Sequence, residues 1–349
     1  MNSPLISVVV PYYNTNKDLF ADCINSIVTQ DYENKEIIIV DDGSKKEAAI
    51  EADTLANQNK CVYVIHQKNG GEGAARNTGI DHAKGKYVVF VDADDVLAPG
   101  WLSYAASLSE KYSCDMVCGK VVKCNQAPKH NCDYYDDLNT EYKVIHHEDI
   151  WKVQQDILRS YSQLVNNMPL IDPGVCSKLI RRDLIGDIRF QVGIKLSSDQ
   201  AYNHTLICKC KSLILTNRIS YYYVMNLESI SHIYQPKAVD YMMQSMQIVS
   251  NNLINNDSVY QAFYYRVVFE LTTAIQFAYY STESNLTLRK RIKGVKYATS
   301  NPLAYESINK VEYSSIKGKI WKLKAFLLKH NMCACYVILK DITDKLQKR

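Results

Sequence analysis

Three short stretches carry side chains able to manage charge at a reacting centre: Asp41-Asp42-Gly43-Ser44, Asp92-Ala93-Asp94-Asp95 and, much later, Ser198-Asp199. The first two follow apolar runs, Ile37-Ile38-Ile39-Val40 and Val88-Val89-Phe90-Val91. Residues just beyond the carboxyl ends of parallel strands are where open α/β sheets bind ligands. Five carboxylates on one rim repel one another, and a divalent cation or a hydrogen-bonding ligand relieves them. Asp92 and Asp94 stand two apart on an extended segment and aim the same way, so one can hold a ligand hydroxyl while the other takes a metal ion. A second reading stays open: the same acidic run caps a helix beginning near Pro99.

Between these stretches lies Asn69-Gly70-Gly71-Glu72-Gly73-Ala74-Ala75-Arg76-Asn77-Thr78-Gly79. It lacks a Walker Lys-Ser/Thr pair, and the spacing of Gly71, Gly73 and Gly79 is not that of a dinucleotide fingerprint. Its glycines let the backbone approach a planar base or the sheet. Arg76 offers a fork of donors to a base carbonyl, a phosphate or a neighbouring Asp, so ligand contact and an internal ion pair are equal readings. Asp199 opens a helical segment, where a carboxylate either reaches the rim or simply favours the helix dipole. His232 follows a Ser-Ile-Ser turn and is read either as a further metal ligand or as a structural histidine.

These groups need a scaffold. Strand-like runs at Leu5 to Val10, Glu36 to Val40, Val62 to His66, Tyr87 to Val91 and Met116 to Val122 alternate with helix-period segments near Lys17 to Gln30, Lys46 to Asn59 and Pro99 to Tyr112. The pattern predicts an α/β fold with a central, mostly parallel sheet covered by helices. Residues 125–149 read as a long loop, helical periodicity dominates from Glu148 apart from a strand-like Leu213 to Val224, and an all-helical region is expected from Ala238. At 349 residues, 47% hydrophobic and 22% charged, the chain excludes disorder and fibre. No stretch reads as a membrane span or a signal peptide, which predicts a cytoplasmic protein. The 11 cysteines are an odd count without zinc spacing, and reduced thiols are expected.

Taken in order, four segments resemble the family 2 glycosyltransferases and their GT-A nucleotide-sugar fold. They are Ser7-Val8-Val9-Val10-Pro11-Tyr12-Tyr13-Asn14, Ile39-Val40-Asp41-Asp42-Gly43-Ser44, Gly73-Ala74-Ala75-Arg76-Asn77-Thr78-Gly79-Ile80, and Gly85 to Asp95. The match is dense over about the first 120 residues. It continues thinly through Cys176-Ser177-Lys178-Leu179, Ser198-Asp199 and Ser229-Ile230-Ser231-His232. The resemblance implies inverting transfer of a sugar from a nucleoside diphosphate donor, usually UDP-linked, to a glycan or lipid-linked acceptor in bacterial-type surface polysaccharide assembly. It implies donor contacts from Pro11, Tyr13, Asn14, Asp42, Gly73, Arg76 and Asp92, Mg²⁺ or Mn²⁺ on Asp94 with His232, and Asp199 as general base. Many relatives have Glu immediately before the base, where this chain has Ser198. A sugar nucleotidyltransferase of related fold and a non-catalytic sugar-nucleotide binding module are the alternatives. The expected division is a GT-A domain over residues 1–235, its nucleotide-binding part ending near 122, and a helical region over 236–349.

Charge is unevenly placed. From Arg289 onward there are 15 Lys+Arg against 4 Asp+Glu, within a net charge of +4, so the rest is acidic. An acidic body speaks against nucleic-acid binding, and a basic tail suits an anionic membrane surface. Cys335, Ile338, Leu339, Ile342 and Leu346 recur at helical spacing as one apolar face, with Lys340, Lys345 and Lys348 among the polar positions. In Lys317 to His330, Lys324 falls inside the apolar arc and is expected to snorkel. Packing of both helices on the rest of the chain is the competing reading.

Overall fold

Apolar runs without polar alternation are satisfied only between two covering layers. The computed structural model, which describes residues 3–126, 128, 141–160, 171–225, 234–280, 286–316 and 318–347, places them there. Strands β1 (Ile6–Tyr12), β2 (Lys35–Asp41), β3 (Val62–His66) and β4 (Tyr87–Phe90) run parallel in the order β3-β2-β1-β4. Val8 to Val10, Ile37 to Val40 and Val88 to Phe90 have no exposed surface. The sheet continues through β8 (Lys178–Arg181), antiparallel to both its neighbours, then β6 (Met116–Cys124), β9 (Ser212–Val224) and β5 (Val96–Leu97). Strand β7 (Tyr142–His146) pairs antiparallel with β9.

Two of these strands depart from the sequence reading. Residues 142–146, expected in a loop, are paired with Ser212 to Thr216, and 178–181, expected in a helical stretch, bridge β4 and β6. Both are short, and their strand character comes from the partners they find rather than from local propensity. Helices α1 (Lys17–Val28), α2 (Lys46–Gln58), α3 (Glu72–His82), α4 (Trp101–Tyr112), α5 (Ile150–Ser160), α6 (Arg182–Ile185) and α7 (Ser198–Ile207) complete this part. Asn16 caps α1 by accepting from the backbone N–H groups of Asp18 and Leu19, while Phe20, Cys23, Ile24 and Ile27 form its buried face.

Helix α3 is the element that local propensity argues against, because two glycines inside eleven residues each cost about 1 kcal/mol relative to Ala. Packing overrides that cost. A Cβ on Gly79 would lie 2.2 Å from Val9 Cγ1, so the missing side chain is what lets α3 lie on β1.

The chain groups into a unit of residues 1–153 with 169–226 and a second of 154–168 with 227–349. The division thus falls at 226 where 235 was expected, and the last turns of α5 go with the second unit. That unit contains α8 (Ala238–Ser250), α9 (Asp257–Tyr279), α10 (Leu288–Ser300), α11 (Pro302–Lys310), α12 (Lys319–Lys329) and α13 (Cys333–Gln347). The 23-residue α9 buries Phe263, Val267, Leu271 and Ile275, and seals a buried Arg266–Glu270 ion pair at 2.8 Å.

The last helix has two apolar faces. Cys333, Tyr336 and Val337 face inward together with Lys340, whose Nζ donates to Asp344 Oδ1 at 2.6 Å and lies 5.2 Å from the Tyr280 ring. Lys340 was expected among the outward polar positions and is instead buried, because a paired ammonium over an aromatic ring tolerates that site. Ile338 and Ile342, from the face singled out in the sequence, are 51% and 52% exposed, and Cys335 beside them is exposed. The side chains of Lys345, Leu346 and Lys348 lie outside the described residues. On α12, Lys324 lies 5.2 Å from the Trp321 ring, and burial, then the charge of Lys340, holds its ammonium below the usual lysine range.

Replacing Gly79 by Ala is expected to lower stability by about 1–3 kcal/mol, the usual size of overpacking, despite the better helix propensity of Ala. Urea denaturation checks this; an unchanged or raised midpoint would mean that α3 does not rest on β1 as described.

Candidate active site

The rim is built from β2 outward. Asp42, 3% exposed, accepts from Gln67 Nε2 at 2.7 Å and Gly70 N at 2.8 Å on Oδ1, and from Gly71 N at 2.7 Å on Oδ2. The glycine stretch is therefore docked on this carboxylate, which pins the start of α3. Asp41 accepts from Ser44 N at 2.9 Å and pairs with His66 Nδ1 at 2.7 Å. The bond to Asp41 raises the imidazole pKa of His66 against a smaller desolvation effect. Asn14 crosslinks the turns after β1 and β2: its N donates to Ser44 Oγ at 3.0 Å and its Oδ1 accepts from Lys45 N at 2.8 Å. Tyr13, next to it, is 56% exposed, and Pro11 sits in β1 opposite Val40.

Arg76 is fully buried, and three carboxylates converge on it. Its Nη2 reaches Asp92 Oδ1 at 2.7 Å and Glu72 Oε1 at 2.5 Å, and its Nη1 donates to Asp199 Oδ1. The guanidinium lies 5.2 Å from the Phe190 ring, which stacks on Tyr202 at 3.7 Å. The structure shows the internal ion pairs of Arg76, with Glu72, Asp92 and Asp199. One guanidinium cannot neutralise three acids. Desolvation works against the charge of Arg76, but Asp199, Glu72 and Asp92 outweigh it and raise the pKa. Burial raises the Asp199 carboxyl, Arg76 opposes, and Asp92 adds to the rise.

Behind Asp92, the Tyr221 hydroxyl accepts from Asp92 N at 3.0 Å and donates to Asp95 Oδ2 at 2.7 Å, while Val224 N donates to Asp95 Oδ1 at 2.7 Å. Asp95 does not cap α4, which begins six residues later with Gly100 as its cap. Four of the five rim carboxylates are thus held by protein groups. Asp94 is the exception: among the described residues its carboxylate has only its own backbone N–H, and burial followed by the charge of Asp92 pushes its pKa up to about 6. A carboxylate so placed suits a hard divalent cation. Among the described residues no group of three His, Cys, Asp or Glu side chains is placed to hold a metal ion. His232 lies outside the described residues.

Asp199 is the second residue of α7, preceded by Ser197 in the left-handed region at φ 59°. It is both a helix N-terminal residue and a partner of the rim, so its two readings coexist. A Cβ on Gly73 would lie 3.3 Å from Phe190 Cβ and 3.8 Å from Ser198 Oγ, so this glycine brings α3 against the segment that carries the base candidate. Glu72 and Gln67 were not singled out from the sequence, and Tyr221 reads there only as strand and core material within the thin part of the resemblance. The four-residue spacing from Glu72 to Arg76 was the available signal, and it becomes one only if 72–82 is read as a helix.

A family model described as glycosyl transferase family 2 matches residues 7–187. The chain is similar to the glycosyltransferase GlyG of Streptococcus pneumoniae, 31% identical over 222 residues, covering 63% of this chain and 71% of that protein. It is also similar to GlyA of the same organism, 29% identical over 252 residues, covering 70% of this chain and 35% of GlyA, so the match spans about a third of that relative. Among solved structures, Staphylococcus aureus TarS 1-349 in complex with UDP-GlcNAc superposes with TM-score 0.66 at 18% identity, over 97% of this chain and 91% of that one.

Replacing Arg76 by Met keeps a long side chain and removes the shared cation, leaving three partly exposed carboxylates beside one another without it. The expected loss, reduced by solvent screening, is about 1–3 kcal/mol near pH 8. Without Arg76 the already raised folded-state pKa values of Asp199 and Glu72 rise further above their unfolded values, so the deficit should shrink as pH falls toward 5 and these acids take up protons. Thermal unfolding across that range checks the sign; a deficit independent of pH would contradict it.

Proposed function

The chain belongs to glycosyl transferase family 2, and from that premise we propose that it moves a sugar from a UDP-linked donor to a hydroxyl of a glycan or lipid-linked acceptor, with inversion. The observation that supports this reading is that Arg76 pairs with both Asp92 and Asp199, which in this reading are the donor-side and acceptor-side carboxylates. A single displacement with inversion needs a base on the face opposite the leaving diphosphate. The UDP-GlcNAc complex of the similar fold favours UDP as the leaving group. The role belongs to assembly of a cell-surface polysaccharide.

In this reading Pro11, Tyr13 and Asn14 border the base and ribose, and Asp42 Oδ2, bonded to one backbone N–H, has a lone pair left for the N–H of uracil. Gly73 keeps the pocket wall low. Asp92, fixed by Arg76 and by the Tyr221 hydroxyl, accepts from ribose or donor-sugar hydroxyls. Asp94 would hold Mg²⁺ or Mn²⁺ against the diphosphate, and that ion supplies charge to the leaving group. His232 is a candidate further ligand. Asp199 takes the acceptor's proton as the acceptor oxygen bonds to the anomeric carbon and the bond to the diphosphate breaks.

A lipid-linked acceptor places the enzyme at the inner face of the cell membrane. Among the described residues no helix is long and apolar enough to cross a membrane. The support for surface attachment is the outer side of the tail helices. On α12, Leu323 and Phe326 are each 44% exposed among exposed Lys319 and Lys322, and on α13 Ile338 and Ile342 are exposed. Apolar side chains interleaved with ammonium groups match an anionic bilayer surface.

Two outcomes are expected. Asp199→Asn keeps the shape but cannot take a proton, so UDP binding by calorimetry should be unchanged while transfer falls by about 10² to 10⁴; weakened UDP binding with near-normal transfer would put Asp199 in the donor pocket instead. The full chain should also sediment with anionic vesicles at low salt, and exchanging Leu323 and Phe326 for Ser should release it. Equal sedimentation with neutral and anionic lipid would remove the membrane role.

A further inference from the structure

The residue before the base candidate gives Asp199 no help. The Ser198 hydroxyl is buried and finds no hydrogen-bond partner among the described residues. The acidic support comes from another element. Glu72, the first residue of α3, reaches Arg76 at 2.5 Å, and a Cβ on its neighbour Gly73 would stand 3.8 Å from Ser198 Oγ. The first turn of α3 therefore supplies a carboxylate to the same guanidinium that holds Asp199.

The groups facing Asp199 explain why that carboxylate matters. They are Arg76 and Glu72 from α3, Asp92 from the segment after β4, and Asp172 and Cys176 from the segment ahead of β8. A cation facing Asp199 alone would hold the carboxylate in place and also depress its basicity, which weakens a general base. Here the guanidinium is divided among three acids. Asp199 is oriented by a direct bond yet keeps a raised pKa, because burial and the surplus of negative charge exceed the pull of Arg76. Glu72 is half exposed, so its removal leaves the packing of α3 intact. Arg76 draws the Glu72 carboxyl down, but desolvation and the charges of Asp199, Asp92 and Asp94 prevail and it stands above the ordinary range; water at its half-exposed side screens part of that push.

We propose that Glu72 is a positioning residue for the transfer step, which takes a share of the Arg76 guanidinium so that Asp199 stays both oriented and basic. Glu72 itself neither binds the donor nor takes the acceptor's proton. The proposal rests on Asp199 being the base, and it adds a role for a residue outside the donor contacts.

The test uses the full chain, a UDP-sugar donor with Mn²⁺, and the variants Glu72→Gln and Asp199→Asn. Glu72→Gln keeps the shape and removes the charge. Its melting temperature and UDP affinity should match the wild type, and donor KM should be unchanged. Its kcat should fall by roughly tenfold, and the acidic limb of kcat against pH should move to lower pH, because Asp199 now feels more of Arg76. Glu72→Ala should behave alike if the amide of Gln were to disturb folding. Unchanged kcat and an unmoved acidic limb, beside an inactive Asp199→Asn, would overturn the proposal alone. So would a raised donor KM at constant kcat, which would place Glu72 on the donor sugar. Wild-type transfer by Asp199→Asn would overturn the base assignment, and the role of Glu72 with it.

Discussion

A guanidinium with no exposed surface has to bring its counter-ions inside with it, because an isolated buried charge costs far more than a fold of this size can spare. Arg76 satisfies that requirement with three acids from three parts of the chain: Glu72 one turn ahead of it, Asp92 after β4, and Asp199 at the start of α7. The sheet fixes Asp92, and α7 fixes Asp199. The helix that carries Arg76 must then lie closely on β1, which needs the bare backbone at Gly79, and its start must be pinned, which Asp42 does through two backbone N–H groups. The glycine stretch is in this sense part of the ion-pair cluster rather than a separate loop.

The same constraint orders the rim. Asp41, Asp42, Asp92 and Asp95 each have a protein partner, and among the described residues Asp94 is the rim carboxylate held only by its own backbone N–H. Five acids on one rim call for a cation or a hydrogen-bonding ligand, and the count alone does not show the donors that Gln67, Tyr221, Arg76 and the backbone bring to four of them.

Much of this was legible. The apolar runs gave the parallel core, and the residues after each run gave Asp42, Asp92, Asp94 and the family resemblance, because strand ends and ligand chemistry coincide in sheets of this kind. What could not be read was decided by contacts distant in sequence. Helix α3 is absent from the helical segments read from the sequence because its glycines lower local helix propensity, and the contact of Gly79 with Val9 on β1 shows why that glycine is there. Strands β7 and β8 are set by partners distant in sequence, Ser212 to Thr216 for β7 and Met116 to Cys118 for β8. In α13 the periodicity named a real face, yet the chain packs the other one, since Tyr336 and Val337 fill the interior and Lys340 finds Asp344.

The central claim is that Arg76 holds the donor-side and acceptor-side acids together during transfer. A crystal structure of the protein with an unreactive UDP-sugar analogue and Mn²⁺ tests it most directly. The account predicts Asp92 within hydrogen-bond distance of the donor, Asp199 on the face of the anomeric carbon opposite the diphosphate, and Arg76 still bonded to both. An Arg76 side chain swung onto the diphosphate, with Asp92 and Asp199 no longer joined through it, would contradict the account.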